Sequence, residues 1–332
     1  MEIRSKSKQQ LIHFDNHNNF YYELCDAFVS SDIPLHKLLN PKLKSFFEKH
    51  MKTNIPDPST LRKYYLPKIY EMKMNKITSY LKNKKIWISI DETIDSMNRS
   101  IGNVVVGVLG SDDSKSFLLS TEILEKVNHS KIAQLFDKSI KLIYPNEILY
   151  ENVLLFVTDG APYMVKAGEG LQTTYPKMIH VTCLAHGLHR VSETIRSKFS
   201  QIDKLISNVK KVFNKAPARI RLFKQIAPEL SLPPKPIITR WGTWLEAAFY
   251  YAHNFEKVKQ VIDQLDSSEA HSIKMSQILF SKPKLKQDLI FILANCEDFT
   301  STITKLNSST LKLTESIELI ENLEKKIREF KY

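Results

Sequence analysis

The spacing of hydrophobic positions changes along the chain, and each change marks an element. Between 18 and 29, Phe20, Leu24, Ala27 and Phe28 recur at helical intervals and predict an amphipathic helix. Ser31-Asp32-Ile33-Pro34 ends it, because the residue before a proline is pushed out of the helical region. A second helix over 41–50 turns Leu43, Phe46 and Phe47 inward, with Pro41 in its first turn. A third, capped by Ser59 or Thr60, carries Leu61, Tyr64, Tyr65, Ile69, Met72 and Ile77, and is interrupted or kinked at Pro67. This unit reads as a DNA-binding bundle, a dimerisation element or a structural cap on the next domain. Its Lys and Arg are scattered rather than striped.

At Ile86 the period becomes two. Ile86, Ile88 and Ile90 alternate with Trp87 and Ser89, predicting a strand that ends in Asp91. A turn over 99–103, a strand over 104–110, a turn at Asp112-Asp113-Ser114 and a strand over 116–122 complete an antiparallel meander. The apolar positions from Ile123 to Ile143 fit a helix or a broken pair. Val153 to Val157 is a nearly continuous apolar run, the sign of a strand covered on both faces, and Asp159 stands just beyond it. Gly160-Ala161-Pro162 leads into a helix reaching about Gly170, a short strand follows over 178–182, and Cys183 opens a long helix. Three antiparallel strands, helix, strand, helix, strand, helix is the order of an α/β, RNase H-like mixed sheet flanked by helices. In such a sheet the first strand lies beside the fourth, which predicts that Asp91 and Asp159 are neighbours.

Beyond the sheet, 201–230 reads as a helical pair broken at Ala216-Pro217, with Lys204, Lys210, Lys211, Lys215, Arg219, Arg221 and Lys224 outward. The proline-rich 231–237 is an extended linker. A helix from Trp244 to about Leu265, capped by Thr243, is followed by helices over 272–294 and 302–331, with Ser281–Lys286 as a break. The last of these is amphipathic through Ile317, Ile320, Leu323, Ile327 and Phe330, a face suited to pairing. The expected organisation is a basic arm (1–17), a small helical domain (18–80), a sheet domain (81–240) and a partial all-helical insertion domain (241–332).

Composition narrows the partners. Lys and Arg number 48 against 36 Asp and Glu, a formal charge of +12 that suits nucleic acid or simply a solvated basic surface. Three widely spaced cysteines argue against a disulfide framework. The first residues lack the apolar core of a secretory signal, and no stretch approaches 18 apolar residues, so cytosol or nucleus is expected and no membrane.

Three groups carry candidate chemistry. Asp91 and Asp159 are either caps at strand ends or two members of a carboxylate set. Such a set holds two divalent ions about 3.5–4 Å apart for phosphodiester chemistry, and the hard ions that suit it are Mg²⁺ or Mn²⁺. Cys183 and His186, with His180 and His189 nearby, suit packing, a phosphate contact or zinc. Structural zinc sites draw ligand pairs from two knuckles and only one is present, so no zinc is expected. Arg240 and Trp241 fall in a loop at the start of a helix, where the pair can stack on a base and touch its phosphate, or staple the helix.

Taken together, IDET at 90–93, TDGAPYM at 158–164, CLAHGLHR at 183–190 and TRW at 239–241 resemble the hAT superfamily of DNA transposases and the host proteins derived from them. The resemblance covers about residues 75–270, with the pieces in order and well spaced. It implies that Asp91 and Asp159 are the first two residues of an acidic catalytic triad and metal ligands. It also implies that the Cys183–His186 region handles DNA near that site. Trp241 would stabilise a flipped base during hairpin formation, with Arg240 serving the same step. The family inserts a large helical domain after the Arg-Trp pair and supplies the triad's Glu after it, so here the third carboxylate is expected to be missing. Residues 18–70 resemble the region following the zinc finger in the CGG triplet repeat-binding protein family, itself hAT-derived; no Cys/His finger set precedes them. The expectation is a transposon-derived, DNA-binding nuclear protein without strand-cleaving activity. The alternatives are a non-enzymatic DNA-binding or chromatin regulator, an active metal-dependent transposase completed by another Glu, and an interaction protein or homo-oligomer paired through the last helix.

Overall fold

The computed structural model describes residues 19–51, 54–110, 115–237, 242–308 and 311–329. The predicted arm over 1–17, the turn at Asp112-Asp113 and Phe330 lie outside them. The helical start comprises α1 (19–30), a 3₁₀ turn (Leu35–Leu39), α2 (Pro41–Met51), α3 (Pro58–Thr60), a π turn (Leu61–Tyr65) and α4 (Leu66–Leu81). Leu24, Cys25, Phe28, Leu38, Leu61, Tyr65 and Ile69 form its core. The cap lies two or three residues ahead of the predicted one: the Asp57 carboxylate accepts the Ser59 N–H at 2.7 Å, with Pro58 preset in the first turn. The interruption expected at Pro67 takes the form of the π turn just before it, which accommodates a ring that cannot donate to the preceding turn. That wider turn rotates the apolar stripe and leaves Tyr64 55% and Met72 44% exposed, although both were expected to face inward. Phe46 is likewise 56% exposed; α2 rests on half-buried Leu43 and Phe47 alone.

The centre follows the predicted order: β1 (Ile86–Ile94), β2 (Ser100–Val108), β3 (Ser116–Leu124), α5 (His129–Ile143), β4 (Val153–Thr158), α6 (Pro162–Gln172), β5 (Ile179–Thr182) and α7 (Leu184–Lys198). The strands form one mixed, RNase H-like sheet in the order β3-β2-β1-β4-β5, flanked by helices. β1 and β2 pair antiparallel from Ile86 opposite Val108 to Ile94 opposite Ser100, and β2 pairs antiparallel with β3. Both hairpin strands are longer than their alternation predicts. The Asp95 carboxylate accepts the N–H groups of Met97 and Arg99 at 2.9 Å, Asn98 takes a φ of 60°, and the turn closes at 95–99 rather than 99–103. Asp91 therefore stands three residues inside β1, not at its end. The segment 123–143 resolves into the end of β3 and the single helix α5, whose Phe136 meets Phe156 and Tyr175 edge-on at 4.9 and 5.2 Å.

The remaining helices are α8 (Ser200–Phe213), α9 (Pro217–Ile226), α10 (Thr243–His253), α11 (Phe255–Asp263), α12 (His271–Phe280), α13 (Pro283–Leu306) and α14 (Leu313–Glu329). A single core runs through them, with Phe223, Tyr251, Leu289 and Phe299 fully enclosed. The helix predicted over 244–265 is two, broken at Asn254, whose side-chain amide donates to the Tyr250 carbonyl at 2.9 Å. Thr243 does not cap it. Its hydroxyl donates to the Ile237 carbonyl at 3.0 Å and accepts that residue's N–H, while Gly242 precedes α10 with a φ of 75° that a side chain would resist. The gap expected at 295–301 is closed, because Cys296, Phe299 and Ile303 continue the buried stripe of α13. By compactness the chain divides into Met1–Phe156 with Ala167–Ile179, and Val157–Lys166 with His180–Tyr332.

Candidate functional site

The turn after β4 is built from side chains that satisfy the backbone. Thr158 is buried, and its hydroxyl donates to the Asp159 carbonyl at 2.7 Å. The hydroxyl has one proton to give, so at 2.9 Å it accepts from His180, which places the ring proton on Nε2. Oδ1 of Asp159 accepts the Ala161 N–H at 3.1 Å, which turns the chain into α6 with Pro162 in its first turn. Asp159 remains half-buried.

α7 begins against this turn. Cys183 is its N-terminal flanking residue, and the Cys183 N–H donates to the Thr158 carbonyl at 2.7 Å. Burial pushes the Cys183 thiol up. Hydrogen bonds from the His186 side chain and backbone, with the Ala185 N–H, outweigh it, and the thiol titrates below its ordinary value. The structure thus brings Cys183 and His186 to the end of β4 that Asp159 leaves. Asp91 sits in β1 opposite Asn103 of β2. Asn103 joins the neighbouring strands, its amide donating to Thr93 at 3.2 Å and its carbonyl accepting from Thr121 at 3.1 Å.

Arg240 and Trp241 lie outside the described residues. Their flanks, Ile237 and Gly242 to Leu245, line a cavity of about 230 Å³ together with His189, Arg196 and Asp203. One carboxylate oxygen of Asp203 accepts from Arg196 Nε at 2.7 Å and from Trp244 Nε1 at 3.1 Å, and Arg196 also reaches Glu193. These partners hold the Arg196 guanidinium above its ordinary pKa, the Asp203 bond contributing most. The residue-type reading missed this network, although Arg196 and Asp203 flank the junction of α7 and α8 and Trp244 follows the Arg-Trp pair closely. Residue types alone also gave no role to Thr158, whose hydroxyl ties His180 to the turn, although a polar residue ending an apolar strand was the available signal.

Among the described residues no group of three or more His, Cys, Asp or Glu side chains is placed to hold a metal ion.

Two family models match the chain. One is the CGGBP1 helical domain, over residues 14–68, and the other is described as a domain of unknown function (DUF659), over residues 56–212. Comparison with curated proteins returns no match. The chain thus carries an N-terminal CGGBP1-like helical domain and a central DUF659 domain, both associated with hAT-transposase-related, DNA-binding proteins. No helix among the described residues is long and apolar enough to cross a membrane.

Proposed function

We propose that this hAT-related chain is a transposon-derived nuclear protein that holds DNA through its backbone phosphates and does not by itself cut it. One observation carries the DNA part. Lys204, Lys210, Lys211, Lys215, Arg221 and Lys224 are all exposed on α8, α9 and the link between them, and none pairs with a carboxylate among the described residues. Arg219, expected to point outward with them, instead serves the fold, donating to the Val212 carbonyl at 3.2 Å and pairing with Glu269. Six unpaired cations on two consecutive helices and their link suit a polyanion, and contacts to phosphate position a strand without reading its sequence.

The catalytic part rests on the triad logic. Sheet order supports the ancestry, since β1, which carries Asp91, neighbours β4, which Asp159 follows. Asp91 and Asp159 would hold Mg²⁺ or Mn²⁺ as oxygen ligands, and such ions supply charge stabilisation at the attacking and leaving oxygens of a phosphodiester. Two carboxylates alone leave the second ion's shell short of a ligand, and we read the pair as a remnant. The match to the CGGBP1 helical domain favours, as second reading, a non-enzymatic DNA-binding regulator.

Binding of the purified chain to labelled duplex DNA, followed against salt, tests the first part. Affinity should fall steeply with salt and show little sequence preference. Plasmid nicking in Mg²⁺ or Mn²⁺ that disappears in Asp91→Asn would overturn the second part.

A further inference from the structure

We infer that Arg190 is a phosphate-holding residue, delivered by α7 onto the Asp159 turn to seat one backbone phosphate of a nucleic acid strand. The inference rests on the proposed DNA binding and assigns it a specific contact.

α7 touches that turn twice. Its first contact is the Cys183 N–H on the Thr158 carbonyl. Arg190 is seven residues further on, roughly two helical turns and 10 Å along the axis, and its side chain comes back onto Gly160. A Cβ built on Gly160 would stand 2.6 Å from one terminal guanidinium nitrogen and 3.1 Å from both the central carbon and the other nitrogen. Those three similar distances lay the guanidinium broadly across the glycine. Any side chain at 160 would displace it.

The guanidinium itself is uncommitted. It makes no hydrogen bond or ion pair among the described residues; the side-chain bond at Arg190 is one that its backbone carbonyl accepts from the Thr194 hydroxyl. Six residues along the same helix, Arg196 uses its guanidinium on Asp203 and Glu193. The neighbouring carboxylate, Asp159, accepts from the backbone of Ala161 rather than from Arg190. A planar fork of five donors, held against a backbone with no side chain in the way, suits a phosphate oxygen pair. His186 lies four residues before Arg190, on the same helix face. The unpaired lysines of α8 and α9 favour a nucleic acid over an acidic protein as the source of that phosphate.

Fluorescence anisotropy of the full chain with a labelled duplex, from about 50 to 200 mM salt, tests the seat. Losing one phosphate contact should flatten the slope of log K against log salt by about 0.9 and weaken binding about eightfold at 0.1 M. Arg190→Ala should show both changes with its melting temperature unaltered. Arg190→Lys should regain the slope, and Gly160→Ala should behave like Arg190→Ala because its methyl group evicts the guanidinium. If the wild type binds with a steep salt dependence and Arg190→Ala and Gly160→Ala retain it, the seat is refuted and the DNA reading stands. If the wild type shows no salt-dependent binding, both fall. Binding of a poly-glutamate peptide but not DNA, lost in Arg190→Ala, would assign the guanidinium to a protein carboxylate and overturn the phosphate.

Discussion

The two helical regions are built from similar residues but in different ways. In the N-terminal region, nine buried residues hold α1 to α4, and α2 contributes none of them. In α7 to α14, 31 buried residues among those described form one core, with contributions from every one of the eight helices. The first region has a π turn where its apolar stripe meets Pro67, and leaves Phe46, Tyr64 and Tyr70 more than half exposed. Among its described residues the second loses its regular helix only at Asn254 and at the other links between helices. The difference shows that helical periodicity predicts which residues are able to be buried. How many are buried depends on how many helices share the space.

Truncating the larger core should have the largest effect. Phe299→Ala removes a fully enclosed ring of α13 and should cost about 3–5 kcal/mol in urea unfolding monitored by circular dichroism. Leu61→Ala, also fully enclosed, should cost less, about 2 kcal/mol, because a thin core collapses more easily around the space. Hydrogen exchange should show that loss confined to residues 19–81. Equal costs, with protection lost throughout the chain in both variants, would erase the contrast between the regions.

The cysteines probe the same contrast. Burial raises the Cys25 thiol, with Asp26 adding to it, and burial alone takes Cys296 up to about 11, whereas Cys183 is lowered. Limited alkylation with iodoacetamide at about pH 7.5, read by peptide mass spectrometry, should label Cys183 first, then Cys25 in the thinner core, and Cys296 last. His186→Ala should slow Cys183. Labelling of Cys296 before Cys25 would mean that the larger core opens more readily.

The smallest effect is set by acid. The Ser59 hydroxyl and N–H hold the exposed Asp57 carboxyl below its usual range. A depressed carboxyl contributes stability that is present above its unfolded pKa and lost as pH falls through the folded one. Amide exchange at Ser59 and Thr60 should therefore lose protection, relative to the rest of the helix, as acid is added through that window. Asp57→Asn should remove that pH dependence; an unchanged acid profile in the variant would place its origin elsewhere.

The order of elements, the five-stranded α/β plan and the helical starts at Pro41, Cys183 and Pro217 were legible from residue order alone, because each rests on local period or on a proline's missing N–H. The same holds for the two motifs, TDGAPYM at 158–164 and CLAHGLHR at 183–190, that carry Asp159, Cys183 and His186. Tertiary structure decided what local period cannot contain. Arg219 leaves the basic stripe for Glu269, fifty residues away. Arg190 reads in sequence as one more surface cation, and only the return of α7 to Gly160 sets its guanidinium on a backbone with room for it. Pairings of this kind depend on which distant backbone supplies a partner or a space, and that is settled only when the helices and the sheet have packed.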